Sequence, residues 1–124
     1  MSAILPIVSA HWLYDPAQGG APIRLDTPAW TAWLDAPTST RFAYPVFDAT
    51  CGYIVGRLTV RKERAQRGDA YWVAYRRWGG RLRKVYLGHA SAVTHARLEA
   101  ATQVLRPPSQ LLSDAAGADQ LLLT

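Results

Sequence analysis

Between residues 57 and 86 the chain sets Arg57, Arg61, Arg76, Arg77, Arg81, Arg83 and Lys84 among the rings of Trp72, Trp78 and Tyr86. A guanidinium is a planar fork that forms paired hydrogen bonds to phosphate oxygens or to a guanine edge, and aromatic faces stack on bases. Twelve of the 14 basic residues are arginine, a bias that suits such contacts better than solubility alone. The charge is also concentrated. Residues 41–90 hold eleven bases against three acids, a net of +8, whereas residues 1–40 carry −2 and residues 91–124 carry −1, for +5 in all. Such a segment attracts polyanions, whether nucleic acid or an anionic membrane surface. The plainer alternative is a solvated basic face that keeps the protein soluble.

Other chemistry finds no support. Ser91, His89 and Asp69 form the one nearby trio with the residue types of a hydrolase, but no nucleophile elbow surrounds the serine. Cys51 is the single cysteine and reads as a small buried hydrophobe, and His11, His89 and His95 show no ligand spacing with it. The glycine pairs fall in hairpin turns rather than before helix N-termini, so no phosphate-cradling loop is present. No catalytic residues, metal site or cofactor are therefore expected.

The elements that must position the basic set follow from the pattern. At 124 residues and 13.7 kDa, with 49% hydrophobic content, the chain is of single-domain size. No apolar run approaches the roughly 20 residues of a membrane span, and no basic leader precedes the apolar start, which implies a cytoplasmic protein without a membrane partner. HWLYD and APIRL, around Pro16 and Gly19-Gly20, read as a hairpin. In DTPAWTAWLDAP, Asp26 or Thr27 caps a helix, Pro28 fits its first turn, and Trp30, Trp33 and Leu34 make one buried face. TRFAYPVF at residues 40–47 is strand-like, with Pro45 pointing to an edge or an interruption. Strands at 52–62, 70–78 and 81–88 follow, the last two joined by Gly79-Gly80, and then a helix capped by Thr94 and stapled by Val93 and Leu98. The expected architecture is α+β: an antiparallel three-stranded sheet packed on a C-terminal helix. Residues 1–50 form an N-terminal hairpin and tryptophan helix, 51–106 a β-β-β-α nucleic-acid-binding module, and 107–124 a flexible or partner-docking tail.

YWVAYRRWGGRLRKVYLGHASAVTHARLEA, residues 71–100, resembles the arm-type DNA-binding domain at the N-terminus of tyrosine recombinases. There an aromatic strand ending Tyr-Arg turns through glycine into a basic strand ending Leu-Gly, followed by a helix that begins at Ser or Thr. Tyr75-Arg76, Gly80, Arg83-Lys84, Leu87-Gly88 and Thr94 occupy those places. With the strand from residue 54 the likeness covers roughly residues 54–105. The tryptophan helix before this hairpin is similar to segments that precede large bacterial transcription regulators. Two departures stand out: the hairpin is one residue longer between Tyr75 and Leu87, and no catalytic recombinase domain follows, so strand exchange is not expected.

Sheet registers decide which side chains face a ligand. A two-residue Gly79-Gly80 turn groups Trp72, Ala74, Val85 and Leu87, whereas a three-residue loop with a bulge groups Tyr71, Val73, Tyr75, Val85 and Leu87. The resemblance favours the second. Trp72, Arg76, Lys84 and Tyr86 then point outward beside Arg57, Thr59 and Arg61, with Arg76 and the strand-one arginines on base edges and Arg77, Arg81 and Arg83 on phosphates. The resulting expectation is a non-catalytic, sequence-reading protein that inserts a basic sheet into the major groove of double-stranded DNA, as a transcription or mobile-element accessory factor. Two alternatives stand beside it: a protein-interaction adaptor using the tryptophan helix and the tail at 107–124, and a single-stranded nucleic-acid or RNA binder stacking bases on Trp72, Trp78 and Tyr86.

Overall fold

Period-two alternation and short turns build most of this chain into one sheet. The computed structural model describes residues 5–19, 21–48, 50, 52–66 and 68–107. Among them the strands are β1 (Ile7–Ser9), β2 (Trp12–Tyr14), β3 (Ile23–Arg24), β4 (Arg41–Asp48), β5 (Tyr53–Arg64), β6 (Ala70–Trp78) and β7 (Arg81–Gly88). They form a seven-stranded sheet in the order β3-β2-β1-β4-β5-β6-β7. Every pairing is antiparallel except β1 with β4, so the sheet is mixed. The architecture is α+β as expected, but the sheet has seven strands where three were expected. It also runs through the boundary set between residues 50 and 51, because β4 and β5 pair from Arg41↔Arg61 to Asp48↔Tyr53.

The expected N-terminal hairpin is present as β2 and β3, with Leu13 opposite Ile23 and Trp12 opposite Arg24. Its loop holds a 3-10 turn whose first N–H groups are served by Asp15 Oδ1, 3.0 Å from the nitrogen of Ala17. Pro45 does not put β4 at an edge, and the ladder explains why. The N–H of Ala43 donates to Pro6 on the β1 side at 2.8 Å, and a period of two places the missing N–H of Pro45 on that same side, past the β1 pairing of Ile7 with Ala43. No bond to β5 is lost.

Two helices cover one face. Helix α1 (Pro28–Asp35) starts at Thr27, whose hydroxyl accepts from the N–H of Trp30 at 3.3 Å, with Pro28 in its first turn. Helix α2 (His95–Val104) starts at Thr94, which accepts from the N–H of Arg97 at 3.1 Å. Val93 and Leu98 are both buried, as a hydrophobic staple requires. Asp26 links the two helix starts by accepting from the N–H of His95 at 2.9 Å.

The core lies between helices and sheet and is organised by aromatic rings. Trp30 and Trp33 stack at 5.8 Å, and Phe42 meets both edge-on. Trp72 closes the cluster at 5.5 Å from Phe42 and 6.3 Å from Trp33. The polar handles are satisfied: the indole N–H of Trp30 donates to the carbonyl of Val93 at 2.7 Å, and that of Trp33 to Asp15 at 2.9 Å. The hydroxyl of Tyr44 donates to Glu99 and ties β4 to α2; burial, then that bond, holds the phenol above its usual range. Trp30 and Trp33 therefore belong to the interior, which removes the tryptophan helix as an exposed partner surface. Cys51 and residues 108–124, most of the expected tail, lie outside the described residues.

Because Trp72 is 1% exposed at the centre of this cluster, Trp72→Ala leaves a cavity and should cost about 3–5 kcal/mol. Thr94→Ala removes only a helix cap and should cost about 1 kcal/mol. Urea unfolding midpoints of the two variants against the unaltered protein measure both.

Candidate nucleic-acid interface

The turn at Gly79-Gly80 decides which residues face solvent. Both glycines have positive φ, +62° and +74°, and Trp78 pairs directly with Arg81, so the hairpin has the two-residue turn. The register is Arg77↔Leu82, Arg76↔Arg83, Tyr75↔Lys84, Ala74↔Val85 and Val73↔Tyr86, and a bulge between Trp72 and Val73 brings Trp72 opposite Gly88. Ala74 also lies opposite Val60, which is buried under the helices. Trp72, Ala74, Arg76 and Trp78 therefore share the helix-covered side, and Tyr71, Val73, Tyr75 and Arg77 share the other.

This corrects the expected outward set. Trp72 is core and meets no ligand, because a large apolar ring at an inward position packs on Phe42 and Trp33. Arg76 lies on the helix side of the hairpin rather than beside Arg57 and Arg61, and its cross-strand partner Arg83, expected near the tip on phosphates, lies on that side too. Tyr75, expected inward, lies on the solvent side. Arg57, Thr59, Arg61, Arg77, Lys84 and Tyr86 do share that open side, and Arg81 is exposed beside the turn. The stacking platforms named from sequence are reduced to Tyr86, since Trp72 is buried and Trp78 faces the other way.

The open side extends further than the sequence suggested. Arg41 stands directly opposite Arg61, adding a cation from β4. Across the sheet, the Arg24 guanidinium lies 5.7 Å from the ring centre of Trp12, and Tyr14 is exposed beside it. The Arg61 guanidinium sits 5.4 Å from the ring centre of Tyr75. The signal that finds these residues is parity: once one inward residue per strand is known, every second neighbour follows.

β5 and β6 are paired only from Thr59↔Tyr75 to Arg64↔Ala70. Past Thr59 the two hairpins, β4-β5 and β6-β7, continue without a shared ladder. A cavity of about 420 Å³ occupies this region, with Arg57, Thr59, Arg61, Tyr75, Arg76 and Arg77 in its lining. Among the described residues no carboxylate lines it. The acid on this side of β5 is Glu63, and its carboxylate accepts from the hydroxyls of Tyr75 and of Tyr71, the latter at 3.5 Å. Three open-side arginines, Arg57, Arg61 and Arg77, around such a space suit a ligand rich in anionic oxygens.

The Glu63 contact also marks Tyr75 electrostatically. Its hydrogen bond to the carboxylate, then burial and the negative charge itself, raise the phenol above its usual range, with Arg61 opposing. A phenolate beside Glu63 would lose the bond and meet a like charge. Glu63→Gln removes that charge, so one tyrosine should ionise at lower pH in the variant. Tyrosine ultraviolet absorbance titration measures it, and Tyr75→Phe identifies the transition.

No protein-family model, curated protein or solved structure matches this chain.

Proposed function

We propose that this protein is a non-catalytic DNA-binding protein that presents the open side of its sheet to duplex DNA. The observation that carries the reading is the convergence of Arg57, Arg61 and Arg77 on one cavity whose described lining holds no carboxylate, flanked by Arg41 and Lys84. Seven strands at about 4.8 Å spacing span roughly 29 Å, too broad for a major groove about 12 Å wide. The part that fits is the two-stranded β6-β7 hairpin, a ribbon of the kind that groove admits. In this arrangement Arg77, Lys84 and Tyr86 face base edges, Arg81 at the turn meets phosphates, and Arg41, Arg57 and Arg61 follow the adjacent backbone. The resemblance of residues 71–100 to the arm-type domain supports the same hairpin as the reading element. A role as a transcription or mobile-element accessory factor accords with this chemistry.

A second reading, binding of single strands, draws on Trp12, Tyr14 and Tyr86, each exposed on the same side of the sheet. Its stacking surface is scattered over strands at opposite ends of the sheet, whereas the cations are contiguous.

Anisotropy titrations of random-sequence duplex and single-stranded DNA over a range of salt separate the two. Duplex affinity should fall with salt with a log–log slope of about −0.9 per phosphate neutralised. The triple variant Arg57→Ala, Arg61→Ala, Arg77→Ala should flatten that slope by about 3 while the fold persists. Absence of duplex binding at low salt would overturn the proposal, and a strong preference for single strands would favour the second reading.

A further inference from the structure

The helix side of the β6-β7 hairpin carries a separate anomaly. Among the described residues, three buried side-chain polar atoms lack a hydrogen-bond partner: Nη1 of Arg76, Nε1 of Trp78 and Nε of Arg83. All three are N–H donors. Arg76 and Arg83 are direct cross-strand partners, and Trp78 lies two residues beyond Arg76 on the same side. The Arg83 guanidinium is stacked on Trp78, 3.6 Å from the ring centre. Like charges placed opposite each other on a sheet repel, and buried donors without acceptors are unfavourable.

Among the described residues no carboxylate accepts from these three donors. Burial lowers the Arg76 guanidinium below its usual range, and the nearby charge that acts on it is another cation, Arg106 near the end of α2. Room for this cation comes from β5: a Cβ at Gly56 would lie 2.8 Å from Nη2 of Arg76, so a side chain there would push the guanidinium aside. Donors without acceptors, paired cations and a glycine that admits one of them all describe half of an anion site. The other half must supply several acceptor oxygens and negative charge in a compact, roughly tetrahedral group.

We propose that Arg76, Trp78 and Arg83 form a phosphate site on the helix side of the β6-β7 hairpin. A phosphate oxygen takes the N–H groups of Arg76 and Arg83, and Arg83 moves off the Trp78 ring to admit the anion to the indole N–H. The phosphate comes either from a small free phosphate or from a nucleic-acid backbone. The site lies on the opposite side of the sheet from Arg57, Arg61 and Arg77, so it stands whether or not the open side binds DNA.

The test uses the full chain labelled with nitrogen-15 and follows the indole N–H resonance of Trp78, identified by its loss in Trp78→Phe. Inorganic phosphate should move that resonance saturably. It should leave the resonance of Trp30 in place, since that N–H is already bonded to Val93. Arg76→Gln and Arg83→Gln should each weaken the response about tenfold, the scale of a lost charge-assisted hydrogen bond. The unmoved Trp30 signal reports an intact fold in each variant. A short duplex DNA added in a second arm distinguishes the sources: if it moves the Trp78 resonance, the backbone is an occupant, and if only inorganic phosphate does, the site takes a small phosphate. Absence of a saturable response to either, or a response that survives both glutamine variants, overturns the proposal. The Arg57→Ala, Arg61→Ala, Arg77→Ala variant should respond as the unaltered chain does, which keeps this outcome separate from that of the open-side interface.

Discussion

The two-residue turn at Gly79-Gly80 is the constraint on which the rest of the molecule depends. Positive φ at both positions admits glycine without steric cost, and it fixes the opposition of Trp78 and Arg81. From that pairing the faces of β6 and β7 follow by alternation. One more residue in the turn would exchange inward for outward along β6, placing Trp72 in solvent and Tyr75 under the helices. The aromatic cluster of Trp30, Trp33, Phe42 and Trp72 forms only in the observed parity. The turn selects the register, and the burial of Trp72 holds it.

That parity also explains how an open basic surface coexists with an ordinary core. Both helices lie on one side, where their caps, the Val93-Leu98 staple and the Tyr44-Glu99 contact attach them. Among the described residues the other side has no helix and need not be apolar; an antiparallel sheet tolerates one solvated face. Arg57, Arg61 and Arg77 can therefore sit on β5 and β6 without entering the interior. Besides Arg76, Lys62 is a cation on the covered side; its ammonium lies 5.4 Å from the ring centre of Trp72 and donates to the carbonyl of Ala36 at 2.9 Å. Burial lowers that amine below its usual range, opposed by the carboxylate of Asp35.

Much of this was legible in the sequence because local chemistry carried it. Thr27, Pro28 and Thr94 announced the helix starts, Gly79-Gly80 the hairpin, and the runs at 52–62, 70–78 and 81–88 three of the four longest strands. The seven-stranded sheet was not legible because β1, three residues long and a strand only through its partners, is what joins the expected β2-β3 hairpin to β4. Pro45 was read as an edge or an interruption; β4 is not an edge, but its pairing with β5 shifts register one residue on, between Val46 and Phe47. The outward set failed at Trp72 and Arg76 because hairpin parity was read from a likeness to another fold, while the burial of one large aromatic ring would have chosen the other register. Arg57, Thr59, Arg61, Lys84 and Tyr86 were placed on the open side from sequence because their parity is the same in either reading.

A basic surface on a sheet has another explanation that must be weighed against ligand binding. Edge strands left bare invite pairing with other chains, and charged side chains blunt them. β7 is an edge, and Arg81, Arg83 and Lys84 on it suit that purpose, as does Arg97, which donates to the carbonyl of Tyr86 at 3.1 Å. Edge protection does not reach Arg61, which pairs with Arg41 on one side and Val73 on the other, within the sheet. There two guanidinium groups stand directly opposite each other, an arrangement that costs stability in a cross-strand pair. Arg76 and Arg83 repeat it on the other side of the next hairpin. Solubility needs neither pair, because the same charge spread over exposed loops would serve without the repulsion. A ligand that brings closely spaced negative charges relieves both, and for this reason the paired arginines, more than the net charge, point to a phosphate-bearing partner.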